Sequence, residues 1–436
     1  MIDVHYVVVP AMARRKLPDP VFLLAGGPGQ SAIGAAPQVF GLFRRLNNRR
    51  DIVFVDQRGT GKSASLECAE PKRESLVEQA DPDAQFKLLM RCKAELLRRP
   101  FIKAESDLGF FTTTLAMQDL DAVRRQLGVA RIDLVGVSYG TRAALEYMRQ
   151  FPEAVRRAVL DGVAPSDMAL PTSASTDSQA ALESVFTACV AQPACAGTYP
   201  QLRADWAALL AGLPRPVQAA HPLSGTPERF TLTRDMTLAA VRGALYAPAT
   251  AAALPAALTA AAAGRYEALV GMAALLSSHK GLGLSTGMHF SVVCAEDLPR
   301  LERSIDAPGA DFGNEQAAMY RRACSAWPRG AVPEAYYRIP PSATPTLLLS
   351  GGADPATPPR HGERVARALG PAARHVIVPN AGHGTLGVGC MTDVLYRFID
   401  ATDDAAASAV DAACVKTIPR PGAFRPIELP AKAAGA

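Results

Sequence analysis

A chain of 436 residues, 49% hydrophobic and 20% charged, can bury a sizeable core, which excludes a disordered or low-complexity protein. Its formal net charge of +5 is scattered, and the short pairs Arg44-Arg45 and Arg49-Arg50 read as a solvated helix end or loop, so no nucleic-acid partner is expected. The longest uncharged stretch, Tyr246 to Gly264, is mostly alanine and is broken by Pro248 and Pro255, which argues for a helical segment in water and against a membrane span.

The chain starts on an alternating, strand-like run, Val4 to Val9, with no basic-then-apolar leader ahead of it. Four short apolar runs follow, each ending in a loop of special residues. Val21 to Leu24 leads into Gly26-Gly27-Pro28-Gly29, and Asp51 to Val55 into Asp56-Gln57-Arg58-Gly59-Thr60-Gly61. Ile132 to Val135 leads into Gly136-Val137-Ser138-Tyr139-Gly140, and Thr346 to Leu349 into Gly351-Gly352-Ala353-Asp354. Such runs fit strands buried on both faces of a mostly parallel sheet, and helical patterns at Thr114 to Leu127 and Thr141 to Gln150 lie between them. The alternation predicts an α/β fold whose ligands bind beyond the carboxyl ends of the strands, where all four loops sit. Between residues 166 and 341 alanine-rich helical stretches take over, with a glycine-rich piece at Gly281 to Leu284. The expected division is a core of residues 1–165 and 342–436 interrupted by a mainly helical cap insertion, 166–341. No feature sets an oligomeric state.

Eight cysteines fall into neighbouring pairs along the chain: Cys68 and Cys92, Cys189 and Cys195, Cys294 and Cys324, Cys390 and Cys414. None has zinc or thioredoxin spacing, no metal-ligand cluster or phosphate loop is present, and no cofactor is expected. Many connectivities are open to eight cysteines. Buried free thiols in a reducing compartment are one reading; an exported, periplasmic or secreted protein with four disulfides is the favoured one. The missing leader then reflects a trimmed chain or a start placed too late.

Gly136-Val137-Ser138-Tyr139-Gly140, between an apolar strand and a helix, has the form of a nucleophile elbow. Glycines two before and two after let the backbone fold tightly and lift Ser138 to the helix N-terminus. A serine hydroxyl needs a base, and the base an orienting acid. Of seven histidines, His383 lies in a glycine-flanked loop after the apolar run His375 to Val378, with His289 a rival more suited to a structural role. Asp354 is the expected acid, with Asp161 at the end of the run Ala158 to Leu160 its competitor. An oxyanion would need two N–H donors, assigned to Gly27 and Tyr139.

Taken together, Gly26-Gly27-Pro28-Gly29, Asp56-Gln57-Arg58-Gly59-Thr60-Gly61-Lys62-Ser63, the Ser138 elbow, Gly352-Ala353-Asp354-Pro355-Ala356-Thr357-Pro358-Pro359 and Gly382-His383-Gly384 resemble the prolyl iminopeptidase and tripeptidyl aminopeptidase family of α/β-hydrolases. The part through Cys390 and Cys414 is similar to that family's tripeptidyl-aminopeptidase-type C-terminal domain. The resemblance implies a cofactor-free serine exopeptidase, with a helical cap, that removes residues from peptide N-termini. It also implies that an acidic cap residue binds the free α-amine; Cys294-Ala295-Glu296-Asp297 looks like the matching position, making Glu296 the first candidate and Asp297 the second. Two departures stand out. Ala25 replaces the family's usual histidine before the glycine pair, and members have further residues upstream. A carboxylesterase on small acyl esters would use the same residues, and a non-catalytic binding protein could retain the fold.

Overall fold

The computed structural model describes residues 2–69, 74–277 and 284–425. His279, the Gly281–Gly283 part of the glycine-rich piece and the tail beyond residue 425 lie outside the described residues. Among the described residues there are nine strands: β1 (Tyr6–Val9), β2 (Val21–Leu24), β3 (Ile52–Val55), β4 (Ile132–Val137), β5 (Val155–Asp161), β6 (Arg215–Ala220), β7 (Pro227–Leu232), β8 (Thr346–Gly351) and β9 (Ala373–Val378). Seven of them form one sheet in the order β1-β3-β2-β4-β5-β8-β9. Only β1 runs antiparallel, against β3; the pairs from β3 through to β9 are parallel.

The continuous apolar character of the central strands follows from burial on both faces. Val21, Leu23, Phe54, Val135, Val159 and Leu347 pack with Phe43 and Leu46 of the helix Ala32–Asn47 and Phe398 of the helix Met391–Ile399. Their chain neighbours Phe22, Leu24, Val53, Leu134, Ala158 and Leu348 face the other way, onto Met117 and Leu120 of the helix Thr113–Gln126 and Ala143 and Ala144 of the helix Tyr139–Gln150. Each large side chain so buried contributes about 1.5–3 kcal/mol. Arg44 and Arg45 occupy the last turn of the helix Ala32–Asn47, a favourable place for cations.

Contacts group the chain into two compact units, one of residues 1–74, 81–180 and 279–419, the other of residues 75–80, 181–278 and 420–436. The first unit holds the sheet and every candidate site residue. In the second, β6 and β7 form an antiparallel hairpin, and the alanine-rich stretch forms two short helices, Pro248–Ala251 and Leu254–Ala262, with Pro248 and Pro255 in their first turns, where a missing N–H costs nothing. Among the described residues no helix is long and apolar enough to cross a membrane. The cysteines pair in chain order, Cys68–Cys92, Cys189–Cys195, Cys294–Cys324 and Cys390–Cys414, with Cα separations of 5.1–6.5 Å.

The starts of β4 and β5 are held by a buried charge cluster. Asp133, inaccessible to solvent, accepts two hydrogen bonds from Arg156 at 2.9 and 2.7 Å. Arg156 also meets Asp19 at 2.9 Å, and Arg50 meets the same Asp19 at 2.7 Å. Removing Arg156 leaves buried Asp133 with the longer, 3.6 Å contact to Arg50, a poorly compensated charge, whereas removing Asp133 as well does not. Arg156→Ala should therefore cost about 3 kcal/mol in denaturant unfolding, and Arg156→Ala combined with Asp133→Ala should cost less than the single change.

Candidate active site

Ser138 is the residue between β4 and the helix Tyr139–Gln150, and its backbone adopts φ 57°, ψ −123°. A non-glycine residue there costs on the order of 1–3 kcal/mol, so its neighbours must enforce the conformation. Its N–H donates to Asp161 O at 2.8 Å, and its carbonyl accepts from Thr141 N at 2.9 Å and Thr141 Oγ1 at 2.6 Å. The flanking glycines are steric necessities: a Cβ on Gly140 would stand 2.0 Å from Leu24 O, and one on Gly136 would stand 2.4 Å from Gly140 O. Ser138 itself is half-buried.

The same close approach brings the loop after β2 to the serine. A Cβ on Gly26 would lie 3.2 Å from Ser138 Cβ. Gly27 follows with φ +112°, in a turn where a side chain would collide with Gly29 N at 2.6 Å. The loop is braced by Ser285, whose N–H donates to Gly29 O at 2.9 Å, and by His289, whose Nδ1 lies 3.3 Å from Pro28 O and Nε2 2.7 Å from the Tyr320 hydroxyl. Asp56, in the loop after β3, accepts hydrogen bonds from Ser31 Oγ at 2.6 Å and from the amides of Ile33 and Lys62.

Asp354 follows β8 and His383 follows β9, and the sheet brings them into contact: His383 Nδ1 lies 2.9 and 3.0 Å from the two carboxylate oxygens. Asp354 also accepts from the amides of Ala356 and Thr357 at 2.8 and 2.9 Å and from Thr357 Oγ1 at 2.8 Å. Burial pushes its pKa up, but the His383 charge and these donors outweigh burial and hold it below the ordinary carboxylate value. Thr357 Oγ1 also lies 3.1 Å from His383 Nδ1, so it touches both side chains of the pair. Two other histidines have side-chain partners of their own, His361 with Asp177 at 2.8 Å and His375 with Ser350 Oγ at 2.9 Å.

Glu296 and Asp297 are buried, 1% and 0% exposed, in the turn that also carries the Cys294–Cys324 bridge. Glu296 accepts from Thr113 N at 2.7 Å, from Thr113 Oγ1 at 2.9 Å and from the Tyr336 hydroxyl. Asp297 takes the Arg142 guanidinium on both oxygens, at 2.9 and 3.1 Å, and the Leu170 amide at 3.0 Å. Arg142 is one helical turn after Ser138, and Thr113 Oγ1 lies 2.6 Å from the Tyr139 hydroxyl, so this network is joined to the first turn of the helix that Ser138 begins. Burial lifts Glu296 to about 7 despite Arg142 and its hydrogen-bond donors. The sequence reading missed Thr113, Arg142, Tyr336 and Thr357. Of these only Thr357 carried a local signal, an aspartate three residues earlier in a proline-bounded turn.

Chemically, a strained serine beside a glycine loop, with a histidine oriented by a buried carboxylate, suits nucleophilic attack on a carbonyl followed by proton transfer. A family model described as alpha/beta hydrolase fold matches residues 19–389. Serine protease Hip1 of Mycobacterium tuberculosis is 27% identical over 372 residues, covering 79% of this chain and 71% of that protein. Tripeptidyl aminopeptidase of Streptomyces lividans is 32% identical over 166 residues, 36% of this chain and 31% of that one. Proline iminopeptidase of Neisseria meningitidis is 29% identical over 144 residues, 33% of this chain and 32% of that one.

Replacing Asp354 without changing its shape tests whether it orients His383 as the acid of a triad. Asp354→Asn should lower kcat for a p-nitrophenyl ester by roughly 10,000-fold, because the amide favours the wrong tautomer, with KM nearly unchanged. Thr357→Val should fall between this variant and the wild type in the same assay.

Proposed function

The chain belongs to the α/β-hydrolase fold family, and from that membership we propose that it is a serine peptidase releasing residues from the free N-termini of peptides through an acyl-enzyme on Ser138. The observation that carries the reading is the paired contact of His383 Nδ1 with Asp354 beyond the ends of β9 and β8, in the sheet whose β4 leads into Ser138 at positive φ. In this reading Ser138 Oγ attacks the scissile carbonyl and His383 takes its proton. The amides of Gly27 and Tyr139 receive the oxyanion. His383 then protonates the leaving amine, and water, activated by the same ring, hydrolyses the ester. Two of the related proteins are named for aminopeptidase or iminopeptidase activity, and the more broadly matched one for protease activity.

Glu296 is the proposed partner of the substrate's α-ammonium, and the Asp297 carboxylate, engaged by Arg142, is proposed to support it through the shared network. Both lie in the proposed insertion 166–341, which would set specificity, while residues 1–165 and 342–436 would supply the chemistry. Four disulfides support export to an oxidising compartment, periplasmic or extracellular.

An esterase reading rests on one observation: Glu296 is already satisfied by Thr113 and Tyr336, so a substrate without an amine leaves no carboxylate unpaired. Hydrolysis of free-amine aminoacyl and tripeptidyl amides, their N-blocked versions and p-nitrophenyl esters separates the two. Turnover of free amides that is lost on blocking is expected. Ester turnover with no amide cleavage would overturn the peptidase reading, and an active Ser138→Ala variant would overturn both.

The pH dependence carries its own sign. With Glu296 lifted to about 7, its anion forms as pH rises through that value, while an α-amine loses its charge near about 8. KM for free-amine amides should therefore be lowest between these two values. Glu296→Gln should raise that KM and remove its change near pH 7, leaving ester KM unaltered.

A further inference from the structure

Asp161, the rival acid of the sequence reading, has a different set of partners. Its side chain is 1% exposed at the end of β5. The Thr385 amide approaches both oxygens, at 2.9 and 2.7 Å, the Thr385 hydroxyl donates at 2.9 Å, and the Leu386 amide donates at 2.9 Å. All are donors, so the side chain serves as an acceptor, and these donors partly offset the burial that pushes its pKa up. Its main-chain carbonyl, meanwhile, accepts from the Ser138 N–H at 2.8 Å. The next residue, Gly162, has φ +69°, and a Cβ there would lie 3.3 Å from His383 Cε1. One residue thus holds the serine through its backbone and the stretch just after His383 through its carboxylate.

The need for such a clamp is local. His383 stands between Gly382 and Gly384, the latter at φ +86°, and glycine neighbours that let the ring reach inward also give the loop more conformations to lose. The Asp354 contact orients the ring but does not fix the loop along the strand ends. We propose that Asp161 is a positioning residue, a buried carboxylate that registers the His383 loop against the Ser138 elbow. The proposal rests on Ser138 and His383 acting as nucleophile and base.

Asp161→Asn tests it, because the amide replaces one acceptor with a donor facing N–H groups. Loop displacements on the order of 1 Å cost up to roughly 100-fold in rate, so kcat on a p-nitrophenyl ester should fall by roughly 10- to 100-fold with KM and cooperative thermal unfolding retained. Thr385→Val removes one donor to Asp161 and should lower kcat less; Thr385→Ser keeps the hydroxyl and should restore it. If Asp161→Asn does not fold, the Thr385 pair alone decides. Wild-type kcat in folded Asp161→Asn, equal kcat for the two Thr385 variants, or a loss confined to KM would overturn the proposal. Full activity in Ser138→Ala would instead remove the reading on which it rests.

Discussion

Two missing β-carbons hold this site together. Gly140 passes so close to the end of β2 that Leu24 O lies 2.0 Å from where its Cβ would be, and a Cβ on Gly136 would lie 2.4 Å from Gly140 O. That approach forces Ser138 to positive φ and sets the loop after β2 directly beside it. A single packing contact therefore places the proposed nucleophile and one proposed oxyanion donor, Gly27, relative to each other. The conformational cost, about 1–3 kcal/mol, is offset by the hydrogen bonds that Ser138 makes with Asp161 and Thr141. Rigidity here is useful chemically, since donors already aimed at a developing charge need no reorganisation as it forms.

What the sequence made legible was local and directional. An apolar run ending in Gly-x-Ser-x-Gly reports its own strand, turn and helix, and the runs before Asp354 and His383 do likewise. The cysteines were visible as neighbours along the chain but their connectivity was open; in the structure each bonds its chain neighbour, 6 to 30 residues away. Glu296 and Asp297 were visible only through the family resemblance, and their partners not at all: Thr113 meets Glu296 across 183 residues, a relation no window of sequence contains. The hairpin β6–β7 also escaped notice. Pro216 and Pro227 lie in its strands, and prolines argue against strand formation except at edges, which a two-stranded ribbon consists of entirely. Asp161 was visible as a carboxylate at a strand end, but its partners Thr385 and Leu386 could only be found in three dimensions.

The buried network behind the elbow has a consistent electrostatic logic. Arg142 neutralises Asp297 and lies 3.9 Å from Glu296, while hydroxyls from Thr113 and Tyr336 complete the shell. One guanidinium between two carboxylates leaves the cluster short of positive charge, which is where burial raises the affinity of Glu296 for a proton. A substrate ammonium would supply what is lacking. The proposed preference for free N-termini thus follows from a charge deficit as well as from shape.

The sheet order has a consequence for the time at which activity can arise. β2, β4 and β5, with Ser138 and its elbow, can pair as soon as the chain has been made through Asp161. His383 cannot be held until β8 has joined β5 and β9 has joined β8, after an intervening stretch of almost two hundred residues whose ends must first be brought together. Ser138 is thus made 245 residues ahead of His383, the imidazole proposed to activate it. While that stretch is being made the elbow is without its proposed base, so the proposed activity toward the free ends of peptides would arise only once β8 and β9 have joined the sheet.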